Sequence, residues 1–196
     1  MSLLDGPRKL GLVASMIIVA VSVTLSFLLA VAQAQPKLEM HRAGVNADDG
    51  SGWHLGVSTK GSFSIRLPIP FNDFTTHDPK TGEATHVIGA KSAEGIKFSA
   101  VELAINAKSP GDLDAILKTF SANSANKVSN VERKNRDGLD TLDFSVANAT
   151  SMAHLRYIKA RSVLYALTIE CPNAQRELVA AIKGKFFDSF KPKTSS

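Results

Sequence analysis

One cysteine, Cys171, stands in a chain of 196 residues. Without a second thiol there is no intramolecular disulfide to staple the fold, so the apolar core must hold it alone. Cys171 precedes a predicted helix, where a thiolate would be stabilised. Its parity, however, is that of Val163, Tyr165, Leu167 and Ile169, which marks it as a small buried hydrophobe.

Catalytic signatures are also missing. The five histidines, His41, His54, His77, His86 and His154, include no pair at metal-ligand spacing, and no Cys or acid pair completes a site. A Gly-x-Ser-x-Gly elbow is absent, so acyl transfer by that route has no support, and no dinucleotide-binding glycine pattern occurs. Gly89-Ala90-Lys91-Ser92 resembles the tail of a phosphate loop but lacks the leading Gly, a Gly directly before the Lys, and a following helix. Asn46, Asp48 and Gly50 resemble the opening of a calcium loop without its remaining ligands. Asp137, Asp140 and Asp143 form an acidic cluster only in print, because on a strand Asp140 and Asp143 face opposite sides. His77-Asp78 reads as a solvated turn. No catalytic residue, metal or cofactor is therefore expected.

No strong cluster of one charge sign appears. The formal net charge is +5, and the Lys and Arg residues are scattered, which argues against nucleic-acid binding. Arg156, Lys159 and Arg161 lie on one predicted hairpin, with Lys127, Arg133, Lys134 and Arg136 in its neighbourhood. On one face they would offer a basic patch to an anionic partner or lipid head group. The plainer reading is a charged sheet edge that resists aggregation.

What the chain does have is an N-terminal address. Arg8 and Lys9 form a basic head, and an uncharged run from Leu10 to Ala34 follows. It ends in Ala32-Gln33-Ala34, the small-x-small pattern of a signal peptidase site, so residues 1–34 are expected to be a signal peptide cleaved between Ala34 and Gln35. Losing two bases and one acid, Asp5, would lower the net charge to +4. The competing account is an uncleaved anchor, since the run is long enough to span a bilayer and would contact it through residues 10–32. Either way the basic head stays inside and the rest crosses the membrane. The expected location is the periplasm or the outer side of the bacterial inner membrane.

Beyond the address, residues 35–52 are polar and read as a flexible linker. Residues 53–192 read as one α+β domain, with a tail at 193–196. Trp53 to Ser58 and Ser62 to Leu67 form a first strand pair. Phe71 to Thr76 is extended. Glu83 to Ala90 pairs with Ile96 to Ala107, whose apolar parity changes midway and predicts a bulge or a twist. Ser109, Pro110 and Asp112 suit a helix start, and Leu113, Ile116, Leu117 and Phe120 give it one buried face. Val128 to Lys134 and Leu139 to Val146 flank Asp137-Gly138, a strong hairpin signal. Asn148-Ala149-Thr150 is a glycosylation sequon, meaningful only in a eukaryotic secretory path. A strand ending at Ala160 and the alternating run Val163 to Cys171 follow, stopped by Pro172. Asn173 is the expected cap of a last helix, with an apolar stripe at Leu178, Ile182, Phe186 and Phe190 beside Val179. The expected architecture is an antiparallel sheet of about six or more strands packed with two main helices.

Several local features carry a resemblance: Phe63-Ser64-Ile65-Arg66-Leu67-Pro68, Asp112-Leu113-Asp114-Ala115-Ile116, Asp137-Gly138, Tyr165 in the last strand, and Phe187-Asp188-Ser189-Phe190. In this order of elements they resemble the Mog1/PsbP-like group of small α-β-α sandwich domains, over about residues 53–192. The resemblance implies an antiparallel sheet between helices and a non-catalytic accessory or binding role. In the photosynthetic branch of that group such domains sit on a membrane complex, and in the nuclear branch one binds a small GTPase. No binding motif of either branch is visible here. The expected function is thus an exported, non-enzymatic domain of the cell envelope whose partner is another envelope protein or a membrane complex. The alternatives are a small exported enzyme, a hydrolase with a site formed only by folding, and an uncleaved single-pass protein supporting a membrane complex.

Overall fold

A computed structural model describes residues 36–107, 110–136 and 138–193. The signal or anchor segment at 1–34 and the cleavage pair Ala34 and Gln35 lie outside the described residues. Among those residues, no helix is long and apolar enough to cross a membrane.

Alternating apolar residues give strands, and the strands zip with their neighbours in sequence. In chain order they are β1 (Lys37–Val45), β2 (His54–Val57), β3 (Phe63–Leu67), β4 (Phe71–His77), β5 (Ala84–Lys91) and β6 (Lys97–Ala104). Helix α1 (Leu113–Ala122) follows, then β7 (Lys127–Arg136), β8 (Leu139–Ala147), β9 (Ser151–Lys159) and β10 (Val163–Pro172). A 3-10 turn (Asn173–Gln175), helix α2 (Arg176–Asp188) and β11 (Lys191–Pro192) close the fold. Eight strands form one antiparallel sheet in the order β1-β4-β5-β6-β10-β9-β8-β7. A small sheet, β11-β3-β2, is separate. The fold is α+β, with two helices around a large antiparallel sheet.

Both faces of the large sheet are covered, each by its own cluster. On the first face, Ile88, Phe98, Ala100, Tyr165, Leu167, Ile169 and Cys171 meet Phe63, Ile65 and Leu67 of the small sheet and Val179, Phe186 and Phe187 of α2. On the second face, Val101, Leu142, Phe144, Leu155, Tyr157, Leu164 and Ala166 meet Leu113 and Ile116 of α1. The Phe120 ring of α1 lies 5.2 Å from that of Phe144.

This two-sided burial explains the parity change in β6. No bulge is present: β6 pairs without a register shift from Lys97 to Leu103 with β5 and to Ala104 with β10. Phe98 and Ala100 face the first cluster and Val101 the second, so both parities are apolar where both faces are covered.

Other expectations are corrected as well. Residues 35–52 are not simply a linker. They contain β1, which pairs with β4 from Lys37↔His77 to Val45↔Phe71. Its apolar alternation is confined to Leu38 and Met40 in an otherwise polar, mostly exposed stretch, so it looks like linker in sequence. In the 193–196 tail, Lys193 is tied down, its backbone N–H donating to Ser62 O at 2.7 Å.

The cap of α1 is Asp112, whose carboxylate accepts from the backbone N–H of Asp114 and Ala115; Ser109 lies outside the described residues. Before it, Gly111 has φ +60°, and a Cβ there would come within 2.9 Å of Ile105 Cδ1, so glycine is required. Asn173 does not cap α2; its side chain accepts from the Arg176 guanidinium instead. Val179, Ile182 and Phe186 fall at i, i+3 and i+7, whereas steps of four drift by about 40° each and carry Leu178 off that face. Val179, Phe186 and Phe187 are the buried positions, and Leu178 is half exposed. Phe190 lies past the helix end, stacked 5.9 Å from Phe63.

Candidate functional site

The ladder decides which of the basic residues can share a surface. Arg156 pairs with Leu167 and Asp143, which puts it on the first face. Lys159 pairs with Leu164 and Asp140, on the second. Arg161 is exposed in the β9–β10 turn. The structure does not bring the three together, because residues at odd separation on a strand point apart.

Arg156 is buried and engaged. Its Nε and Nη2 donate to the two carboxylate oxygens of Asp143 at 2.8 and 2.9 Å, and its Nη1 donates to Asp188 at 3.0 Å. The guanidinium also lies 5.0 Å over the Phe187 ring. Burial alone would lower its pKa, but the two carboxylates outweigh that and leave it above its ordinary value. Lys159 lines an open cleft of about 600 Å³ at the start of α1, with Asp112, Asp114, Arg133, Lys134 and Asp140. Three acids stand there among three bases, and Arg133 is already paired with Asp114. Such a cleft has no excess positive charge to offer an anion. Asp143 faces Arg156 and Asp140 faces the cleft, as strand parity requires, and Asp137 lies outside the described residues.

The polar grouping that sequence reading missed lies on the first face, where β1, β4 and β5 run side by side. Thr75 pairs with His86 across the β4–β5 ladder and with Glu39 on β1. Its hydroxyl stands between two imidazoles, 2.8 Å from His41 Nε2 and 3.0 Å from His86 Nδ1. The Glu39 carboxylate lies 3.7 Å from His41 and 3.6 Å from His77. Burial lowers the pKa of His86, opposed by the Glu102 charge and aided by His41 and His77. Three of the five histidines therefore meet, although His41 is 34 residues from Thr75. The available signal was parity: Glu39 with His41, and Asp73 with Thr75 and His77, fall on one side of their strands. Among the described residues, no group of three or more His, Cys, Asp or Glu side chains has the geometry to hold a metal ion.

Next to this row, buried acids grip the turn between β2 and β3. Asp73 Oδ2 accepts from the backbone N–H and hydroxyl of Thr59 at 2.9 and 2.6 Å and from Arg42 Nη2 at 2.7 Å. Asp73 Oδ1 is buried with no donor among the described residues. Glu102 accepts from the Ser62 N–H at 2.5 Å, and the Tyr165 hydroxyl donates to Ser62 O at 3.2 Å. Burial, helped by the Glu102 charge, pushes the Tyr165 hydroxyl up to about 12. Lys193 Nζ donates to Ser58 O at 3.1 Å. These side chains act on backbone, which positions the small sheet over the large one.

No family model and no curated protein matches the chain. Among solved structures it is similar to cyanobacterial PsbP (CyanoP) from Synechocystis sp. PCC 6803, at 13% identity, covering 71% of this chain and 92% of that one, with a TM-score of 0.42. That protein carries the PsbP name of the group whose pattern the sequence resembles. A likeness of this size says nothing about what this chain binds or does.

Proposed function

We propose that this chain is an exported, non-catalytic domain of the bacterial cell envelope that binds or supports another protein or a membrane complex. Its layers, α2 and the small sheet on one face and α1 on the other, suit an α-β-α sandwich of the Mog1/PsbP-like kind. The observation that carries the reading is the engagement of the buried charges. Arg156 is held by Asp143 and Asp188, Asp73 by Thr59 and Arg42, and Glu102 by the Ser62 backbone. Groups committed to internal partners support a scaffold, and recognition is left to its surface. The basic head and uncharged run at residues 8–34 supply the address, the periplasm or the outer side of the inner membrane. Crosslinking in intact cells, followed by identification of the captured neighbour, tests this reading: an envelope protein is expected. Turnover of a substrate, abolished by one point mutation that leaves the domain folded, would overturn it. Mass spectrometry of the mature N-terminus separates release, with Gln35 first, from an uncleaved single-pass protein.

One observation favours a second reading, an exported hydrolase. A hydroxyl held between two imidazoles, as Thr75 is, has the proton acceptor a nucleophile needs. Thr75 is only 2% exposed, so a substrate would reach it only after β1 moved. Hydrolysis by the purified protein that disappears in both Thr75→Val and His86→Gln, with melting temperatures unchanged, would establish this reading. Loss of stability alone in both variants would end it.

A further inference from the structure

On the second face, the buried cluster that includes α1 extends across the sheet as far as Val101 and Val87 and leaves the β1 edge outside it. The row of residues across that face continues outward from Ala166 through Val101, Val87 and Phe74 to Met40 on the edge strand. The next row ends in Leu103, Thr85, Thr76 and Leu38. Phe74 and Leu103 are partly buried, while Leu38 and Met40 are 53% and 46% exposed. Edge strands that face water ordinarily carry charge on such positions. Here Glu39, between the two, points to the opposite face with Thr75.

The chain itself says what lies nearby. The uncharged run ends at Ala34, four residues before Leu38. Four extended residues reach about 14 Å at most, so this patch cannot be far from the end of that run. Lys80, in the turn that follows β4, is exposed at the same end of the sheet, whereas Lys37 pairs with His77 and shares the Glu39 side of β1. Exposed apolar side chains with a lysine close by suit a surface that lies in the head-group region of a bilayer.

We propose that the Leu38–Met40 edge of the second face rests on the lipid bilayer, with the side chains of Leu38 and Met40 in the interfacial layer. This rests on the reading of the N-terminal run as a membrane segment. A tether alone would hold the domain near the membrane in any orientation; the exposed apolar side of β1 fixes one.

The test uses the full chain with Cys171→Ala, reconstituted into phosphatidylethanolamine and phosphatidylglycerol vesicles that contain a spin-labelled quencher lipid. Single cysteines carrying an environment-sensitive fluorophore are placed at Leu38, Met40, Glu39 and Leu55, and at Ser22 within the run. Leu55 is an exposed apolar residue of the small sheet, so it controls for nonspecific partition. Because all four domain positions are exposed, the probes do not disturb the core. The expected result is about twofold or stronger quenching at Leu38 and Met40, with Glu39 and Leu55 unaffected. Equal quenching at Leu38, Met40 and Glu39 overturns the proposal, since tethering alone produces it. Quenching at Ser22 without any at Leu38 and Met40 also overturns it and leaves the anchor standing. No quenching at Ser22 rejects the anchor reading and, with it, the proposal that rests on it. Unquenched Leu38 and Met40 that crosslink to a protein overturn the assignment in favour of a protein partner.

Discussion

Arg156 lies directly opposite Asp143 across the β9–β8 ladder, and two parallel hydrogen bonds join guanidinium to carboxylate. Both charges are sheltered, Arg156 more deeply. Removing one partner strands the other in a poorly solvated place, whereas removing both does not. Arg156→Ala and Asp143→Ala are each expected to destabilise the domain by about 3 kcal/mol in urea unfolding. The double variant should cost clearly less than the sum. Asp188 is mostly exposed, so Asp188→Ala should cost less than about 1 kcal/mol.

His154 is buried, and its Nδ1 lies 2.8 Å from the Ser145 hydroxyl. Burial first, and the charge of Lys183 second, lower its pKa from 6.5 to about 4. The unfolded chain takes up this proton near pH 6.5 and the folded one only near pH 4, so between them the unfolded state holds more protons. Stability from this group is therefore full above pH 6.5, falls as pH drops through that window, and levels off below it. The loss is on the order of 2 kcal/mol. His154→Gln should remove this part of the slope, which urea titrations at pH 4, 5, 6 and 7 will show as a difference from the parent that shrinks toward low pH.

Cys171 is fully enclosed in the first core cluster, and burial raises its thiol pKa. Reaction with a thiol reagent at pH 8 should be at least about a hundredfold slower in the native protein than in urea, because access requires opening of β10. Cys171→Ser should cost about 2 kcal/mol, by placing a hydroxyl in an apolar site, and Cys171→Ala less. Labelling at the rate of a free thiol would contradict the buried placement.

The acids beneath the β2–β3 turn should separate by local and global effects. Asp73→Ala removes the partner of Thr59 and of Arg42 together, and about 3 kcal/mol of stability is expected to go with it. Glu102→Gln keeps an acceptor for the Ser62 N–H without the charge, at a cost of about 1 kcal/mol. Amide exchange at Thr59 should quicken in the first variant and at Ser62 in the second, each more than in the centre of β10.

Much of the fold was legible because it rests on local signals. Asp137-Gly138 marks the β7–β8 hairpin, Leu113, Ile116 and Phe120 mark α1, and the parity of Val163 to Cys171 marks β10 as a core strand. Strand β1 was not legible, since its apolar parity is confined to Leu38 and Met40 within a polar stretch. The buried stripe of α2 was misread, because residues four apart drift by about 40° per step, so the run from Leu178 to Phe190 does not stay on one face while Val179, Ile182 and Phe186 do. Arg156 looks like a surface residue until the ladder sets Asp143 opposite it. The His41–Thr75–His86 row joins β1, β4 and β5, and residues that distant in sequence leave no spacing to read.

Strand β10 has a consequence for how the chain is made. Among the described strands it alone joins β6 to β9, so residues 163–172 zip the two halves of the large sheet together. Until residues 163–172 have been made, the growing chain holds two unfinished half-sheets, each with a bare rim. Shortened products that stop before Val163 are expected to expose the unpaired rims of β6 and β9 and to aggregate.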